Sequence, residues 1–186
     1  MIISITGTDG GGKGAVVGYL VERKGFVHCS ARALWVEEIK KRGLEVNRAN
    51  TRIVANDLRA KHGNDFLITE YARRTGFKPE NNYVIESVRA VAEAETLKKY
   101  NGLLWAVDAD QHIRYDRIQS RASELDRISF EEFVRQEDLE MNDPDPHGMQ
   151  KAKVIAMADI LLTNDGTQEE LFAQVEAALK KFFTTQ

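Results

Sequence analysis

Ile2-Ile3-Ser4-Ile5-Thr6-Gly7-Thr8-Asp9-Gly10-Gly11-Gly12-Lys13-Gly14 opens the chain. An apolar run passes into a glycine-rich turn, and Ala15, Val16, Val17, Tyr19 and Leu20 follow at helical spacing. Gly7, Gly12 and Lys13 fit the phosphate-loop pattern G-x-x-x-x-G-K. Glycines let backbone N–H groups turn inward around an anion with no Cβ in the way. The helix that starts here aims its positive end at the same place, and Lys13 adds a mobile charge. The expected nucleotide contacts are therefore Thr8, Asp9, Gly10, Gly11, Gly12, Lys13, Gly14 and Ala15.

A rival pattern overlaps the first. Gly10, Gly12 and Ala15 also satisfy G-x-G-x-x-A, which calls for an acid at the end of the second strand to hold a ribose hydroxyl. The second strand candidate, Phe26 to His28, runs through Cys29 into Ser30-Ala31-Arg32 with no acid, so the phosphate loop is preferred. One departure stands out. Gly14 occupies the place of the Ser or Thr that would touch Mg²⁺, and Ala15 follows it, so no hydroxyl stands beside the phosphates.

Outward from the loop, strand-like runs alternate with helical patterns. The runs are Ile2 to Ile5, Phe26 to His28, Tyr83 to Ile85, Leu103 to Val107 and Ile160 to Leu162. Short continuous apolar runs suit strands covered on both faces, so the spacing predicts a five-stranded parallel sheet in an α/β fold. Helix ends are marked by cations followed by glycine at Arg23-Lys24-Gly25, Lys40-Lys41-Arg42-Gly43, Lys61-His62-Gly63 and Arg73-Arg74-Thr75-Gly76. Ser129-x-x-Glu132 and Thr167-x-x-Glu170 read as capping boxes, and Leu171, Val175, Ala178, Leu179 and Phe182 make an apolar stripe. Two stretches exceed a crossover connection: a helical insertion over roughly residues 33–75, and a second excursion over roughly residues 111–157.

The chain has 186 residues, which suits one domain over 1–186. Its net charge of −3 gives no overall attraction to nucleic acid or to an anionic membrane, so basic residues must act locally. The single cysteine, Cys29, excludes an internal disulfide and a cysteine metal cluster, and reads as a small buried hydrophobe. The first strand begins at once, so no signal peptide is expected, and no run nears the ~20 residues of a membrane span. These features point to a cytoplasmic protein; monomer and homodimer both stay open.

Among residues that could carry chemistry, Glu86 ends the third strand candidate, where ligands of parallel sheets sit. It is the candidate to organise Mg²⁺ or accept a hydroxyl proton; the alternative is a helix-start acid. Arg89, three residues on, is the candidate for an acceptor phosphate. Arg52 and Arg59 share a face of the insertion and are candidates for the same role, against simple solvation or capping. Arg114, Arg117 and Arg121 fall at spacings of three and four along one helix face, from which the acids Asp116 and Glu124 lie mostly displaced. Planar guanidinium groups suit phosphate, so this row competes with a salt-bridged surface. Asp110 reads as a helix cap, the four His show no zinc spacing, and Trp35 and Trp105 read as core.

These pieces together resemble the P-loop nucleoside and deoxynucleoside monophosphate kinases, with a secondary likeness to dephospho-CoA kinase. Gly7 to Lys13 is the specific match, and its G-K-G ending is similar to adenylate kinases. Arg52, Asn56, Leu58, Arg59 and Gly63 resemble the acceptor lobe of deoxynucleotide kinase-like proteins, and Glu86-Ser87-Val88-Arg89 their acid-x-x-Arg signature. Asp110-Gln111, Arg117, Arg121, Arg135-Gln136, Ala158-Asp159 and Asn164-Asp165-Gly166 resemble the lid and last strand of dephospho-CoA kinase. The resemblance implies a P-loop kinase fold with a helical acceptor lobe and a lid, an ATP donor, Mg²⁺, and a small phosphorylated acceptor. It implies lid arginines Arg117 and Arg121 in catalysis beside Lys13 and Glu86, and Asn164 near the adenine. A dephospho-CoA kinase and a non-catalytic ATP sensor stay open as alternatives, the second because of Gly14-Ala15.

Overall fold

The computed structural model describes residues 1–121, 127–145 and 147–183. Glu124 lies outside the described residues. Five parallel strands form one sheet: β1 (Ile2–Gly7), β2 (Val27–Ser30), β3 (Tyr83–Glu86), β4 (Leu103–Asp108) and β5 (Ile160–Thr163), in the order β2-β3-β1-β4-β5. The expected strands are present. Phe26 falls just outside β2, and its ring is buried beneath the sheet's edge.

Strand β1 is buried along its whole length, which is why its sequence does not alternate. Its odd and even positions feed two different cores. Ile3 and Ile5 join Val84, Trp105, Val107 and Leu162 on the face covered by α1 (Lys13–Lys24) and α9 (Gln168–Phe183). Ile2, Ile85 and Leu104 pack on the other face with α5 (Val91–Lys99) and α8 (Lys151–Ala156). Each fully buried aliphatic side chain here contributes about 1.5–3 kcal/mol relative to exposure.

The first insertion resolves into α2 (Ala31–Lys41), α3 (Arg48–His62) and α4 (Phe66–Thr75). Their apolar residues Leu34, Trp35, Ile39, Val54, Leu58, Leu67 and Ile68 extend the second core, so the lobe is anchored to the sheet. The second excursion becomes α6 (Gln111–Arg121), α7 (Phe130–Met141) and α8. Ser129 Oγ caps α7 at Glu132 N (3.2 Å). Thr167 and Glu170 form the full reciprocal box, at 3.2 and 2.8 Å.

The strand order does the positioning. Strand β1 lies between β3 and β4, with Ile5 opposite Glu86 and Gly7 opposite Val107. The loop after β1 is thus flanked by Glu86 on one side and Asp108 on the other, at the carboxyl edge where chain direction switches.

Candidate phosphate site

Gly7, Gly10 and Gly12 of the loop all have positive φ, and two of them show why no side chain fits. Gly7 has φ 126°, and a Cβ there would lie 2.0 Å from the Val107 carbonyl oxygen. Gly12 has φ 106°, and a Cβ would lie 2.2 Å from the Asn164 amide nitrogen. The loop is braced from three directions. Thr8 Oγ1 donates to Asp108 Oδ1 (2.6 Å). Asn164 Nδ2 donates to the Gly11 carbonyl (2.9 Å). Buried Arg114 donates to the Asp9 carbonyl (3.3 Å) while its guanidinium pairs with Glu137.

Lys13, the first residue of α1, folds back over the loop. Its Nζ donates to the carbonyls of Gly7 (3.1 Å) and Thr8 (2.7 Å) and lies 3.3 Å from Asp9 Oδ1. Burial lowers its pKa to about 8; Asp9 opposes that shift, while Lys151 and Arg89 add to it. Asp9 moves the other way. Burial would raise its carboxyl, but Lys13, Lys151 and Arg89 outweigh it and hold it far below the ordinary carboxylate range.

An open cleft of about 1200 Å³ runs from this loop into the helical insertion. Asp9, Lys13 and Gly14 form one end, with Glu86, Ser87 and Arg89 beside them. Arg32, Arg52, Arg59 and Asn56 come from the insertion, and Gln136 and Glu140 from α7. Trp35, Val46, Ile53 and Leu139 add apolar wall. Ser87 sits at φ 65°, a left-handed conformation that a serine adopts at some cost. It lets the chain turn sharply after β3, where Ser87 N and Val88 N both donate to Ile5 O (2.9 and 3.2 Å).

The expected site residues separate into groups. Lys13, Asp9, Gly14, Glu86, Arg89, Arg52 and Arg59 all line the cleft. Glu86 accepts from Ser30 Oγ (2.5 Å) and lies 3.1 Å from His28 Nε2. Arg52 is 59% exposed and pairs with Asp143 (2.9 Å). Arg59 differs, although it shares a helix face with Arg52. Its Nε and Nη2 point at Glu93 Oε1 (3.3 and 3.4 Å), with Arg59 4% and Glu93 0% exposed. Most of its guanidinium is thus committed within the fold.

The row Arg114, Arg117, Arg121 does not act as a row. Arg114 is buried against the loop and Glu137, Arg121 is exposed, and neither Arg117 nor Arg121 lines the cleft. Arg117 keeps a buried Nη1 with no hydrogen-bond partner. Asn164 is buried and spends its amide on Gly11, so the structure places it as a brace of the loop. Asp110 caps α6, accepting from His112 N (2.9 Å).

Two cations escaped the sequence reading. Arg32, at the start of α2, lines the cleft and makes no hydrogen bond or ion pair among the described residues. Lys151 begins α8 with its side chain 3% exposed, its Nζ 3.1 Å from Asp9 Oδ2 and paired with Glu140. Its three-residue offset from buried Val154 was the available signal.

The segment before Lys151 is bonded to the insertion. Asn56 donates to Asp145 Oδ2 (2.8 Å), His147 Nδ1 meets Asn64 Oδ1 (2.8 Å), and Arg52 holds Asp143. Among the described residues no group of His, Cys, Asp and Glu is arranged to hold a metal by itself, and no helix is long and apolar enough to cross a membrane.

Comparison with known proteins agrees with the fold. A family model described as an AAA domain matches residues 3–142. A UPF0200 protein of Thermococcus kodakarensis is 32% identical over 183 residues, covering 95% of each chain. A UPF0200 protein of Methanococcus maripaludis strain C6 is 28% identical over 183 residues, covering 97% of this chain and 96% of its own. Among solved structures, TT1252 from Thermus thermophilus superposes with a TM-score of 0.65 at 19% identity, over 97% of both chains. The shikimate kinase of Aquifex aeolicus does so with a TM-score of 0.56 at 15% identity, over 100% of both. At such identities the likeness shows the fold alone, and that fold is the P-loop kinase fold.

Proposed function

The chain belongs to the UPF0200 proteins and to the family of that AAA-domain model, and from this premise we propose that it transfers a phosphoryl group from ATP to a small phosphorylated acceptor, a nucleoside or deoxynucleoside monophosphate. The observation that carries the reading is the cleft. Its one end is a phosphate loop with Lys13 and Arg89 beside it, and its helical insertion presents Arg32 and Arg52 with apolar surface from Trp35, Val46 and Ile53. These arginines suit an acceptor phosphate, and the apolar surface suits a base and sugar.

Phosphoryl transfer asks the protein for positioning and charge and for little covalent chemistry. Amides of the loop and Lys13 hold the donor phosphates, which requires Lys13 Nζ to leave the carbonyls of Gly7 and Thr8. Arg89, beside Asp9 and Lys13, grips the acceptor side, with Arg32 and Arg52 farther out. Arg59 serves that wall by holding Glu93 and through it the backbone of Arg89. Glu86 is held in orientation by Ser30 and His28, and is the carboxylate that would hold the water shell of Mg²⁺. Mg²⁺ keeps most of its waters and binds chiefly through phosphates, so a loop without a hydroxyl at position 14 or 15 is compatible with it. When bound, it neutralises phosphate charge.

Coupled ADP release against a panel of nucleoside monophosphates and dephospho-CoA tests the reading. Turnover with a monophosphate is expected. Lys13→Ala should lower it by orders of magnitude with an unchanged circular dichroism spectrum; undiminished ADP release by that variant refutes the mechanism. Turnover with dephospho-CoA alone would favour a ribose hydroxyl as acceptor, with Glu86 taking its proton. ATP binding without turnover on any acceptor would favour a nucleotide sensor, a role to which the missing hydroxyl at Gly14-Ala15 lends weight.

A further inference from the structure

Lysine is almost never fully buried unless paired, and Lys151 is both. Its place is costly on helix grounds as well. It begins α8, the end at which a helix dipole disfavours a cation. Structural needs alone would be met there by a neutral side chain packed beside Val154. The ammonium instead reaches the phosphate loop and shares Asp9 with Lys13, one lysine at each carboxylate oxygen: Lys13 at 3.3 Å from Oδ1 and Lys151 at 3.1 Å from Oδ2. Arg89 acts on the same carboxylate. Two lysines therefore grip the Asp9 carboxylate at the mouth of a loop built to receive anions, with Glu140 as a second acid on Lys151.

A carboxylate and a phosphoryl group present the same motif to such a cluster, two anionic oxygens toward two cations. We propose that Lys151 is a phosphate ligand of this site, and that the Asp9 carboxylate occupies, between Lys13 and Lys151, the position that two oxygens of a polyphosphate take. The inference rests on the donor site of the proposed function and adds a residue and a competitor to it. Binding then is an exchange. Asp9 turns away, and Lys13 and Lys151 transfer from carboxylate to phosphate. Glu140 remains on Lys151 and keeps the ammonium aimed. No bond is made or broken in this step.

Titration calorimetry with inorganic tripolyphosphate, and separately with ATP, on the full chain tests it. Asp9→Asn removes the competing charge and should tighten tripolyphosphate binding by about tenfold, the scale of one hydrogen bond to a charged group. Lys151→Gln should weaken it by about tenfold or more, and Lys151→Arg should bind within about threefold of wild type. Lys151→Gln removes the ammonium from half-buried Glu140, so the Glu140→Gln/Lys151→Gln double variant is measured beside it and should show the same weakening. Asp9→Asn binding no tighter than wild type, or Lys151→Gln binding equally well, overturns the assignment while leaving the kinase reading in place. Failure of the wild type to bind either probe overturns both.

Discussion

Replacing Glu93 by Ala should unfold the chain at a much lower temperature, and the size of the effect follows from what the carboxylate does. It is completely buried. One oxygen receives Arg59 Nε and Nη2 at 3.3 and 3.4 Å. The other accepts the backbone N–H groups of Arg89 (2.8 Å) and Ala90 (3.0 Å) at the start of α5. Alanine strands a guanidinium that is itself 4% exposed and orphans two amides. Removing one partner of a buried ion pair costs about 3–5 kcal/mol. For a chain of this length each kcal/mol lowers Tm by about 2–4 °C, which gives a fall of about 6–20 °C. Glu93→Gln keeps an acceptor for the two amides and should lose less. Replacing both partners, as Arg59→Met with Glu93→Leu, should cost less than Glu93→Ala alone, because no charge is left buried. Calorimetry or urea unfolding monitored by circular dichroism measures all three. A Glu93→Ala protein melting within about 2 °C of wild type would refute the view that this pair is a pillar of the cleft wall.

Further outcomes follow from the loop and the cores. Lys13 is held at about 8, below its ordinary 10.5, so between those values the unfolded chain binds more protons there than the folded one. Its contribution to stability therefore rises with pH across that window. Polyphosphate should restore the charge, so binding near pH 8 takes up about half a proton, read from calorimetry in buffers of different ionisation heat and lost in Lys13→Met; no difference between the two proteins would contradict it. A Cβ at Gly14 meets no atom within 4 Å, so Gly14→Ser should fold with unchanged or slightly raised Tm while adding the hydroxyl the loop lacks. A marked drop in Tm would show that position to be confined. Burial pushes the Cys29 thiol up to about 12, so a thiol reagent at pH 8 should label it only after urea unfolding; prompt labelling of the native protein would place it elsewhere. Asn164→Ala should weaken ATP binding by about tenfold through a loosened Gly11 carbonyl, with thermal stability little changed; unaltered affinity would remove Asn164 as a brace.

The fold was legible because its signals are local. Apolar runs covered on both faces, Gly25 and Gly76 in left-handed closing conformations, and the Thr167–Glu170 box each lie within a few residues of sequence. The phosphate loop is legible for the same reason. The cationic residues were harder, since a guanidinium's role depends on partners far along the chain. Arg59 and Arg52 look alike in sequence, yet one finds Glu93 on α5 and the other Asp143 beyond α7. Arg114 resembles Arg117 and Arg121 until Glu137 on α7 claims it. Lys151 lay in a stretch that reads as solvated, and only the tertiary arrangement brings Asp9 and Glu140 to it.

The bonds from Asp143, Asp145 and His147 to Arg52, Asn56 and Asn64 join the segment before α8 to the helical insertion at one end of the cleft. A doorway fastened at that point is shared by arrivals and departures. Under the proposed activity, acceptor entry and product release would both require these bonds to open, so opening in microseconds to milliseconds would set a ceiling on turnover there.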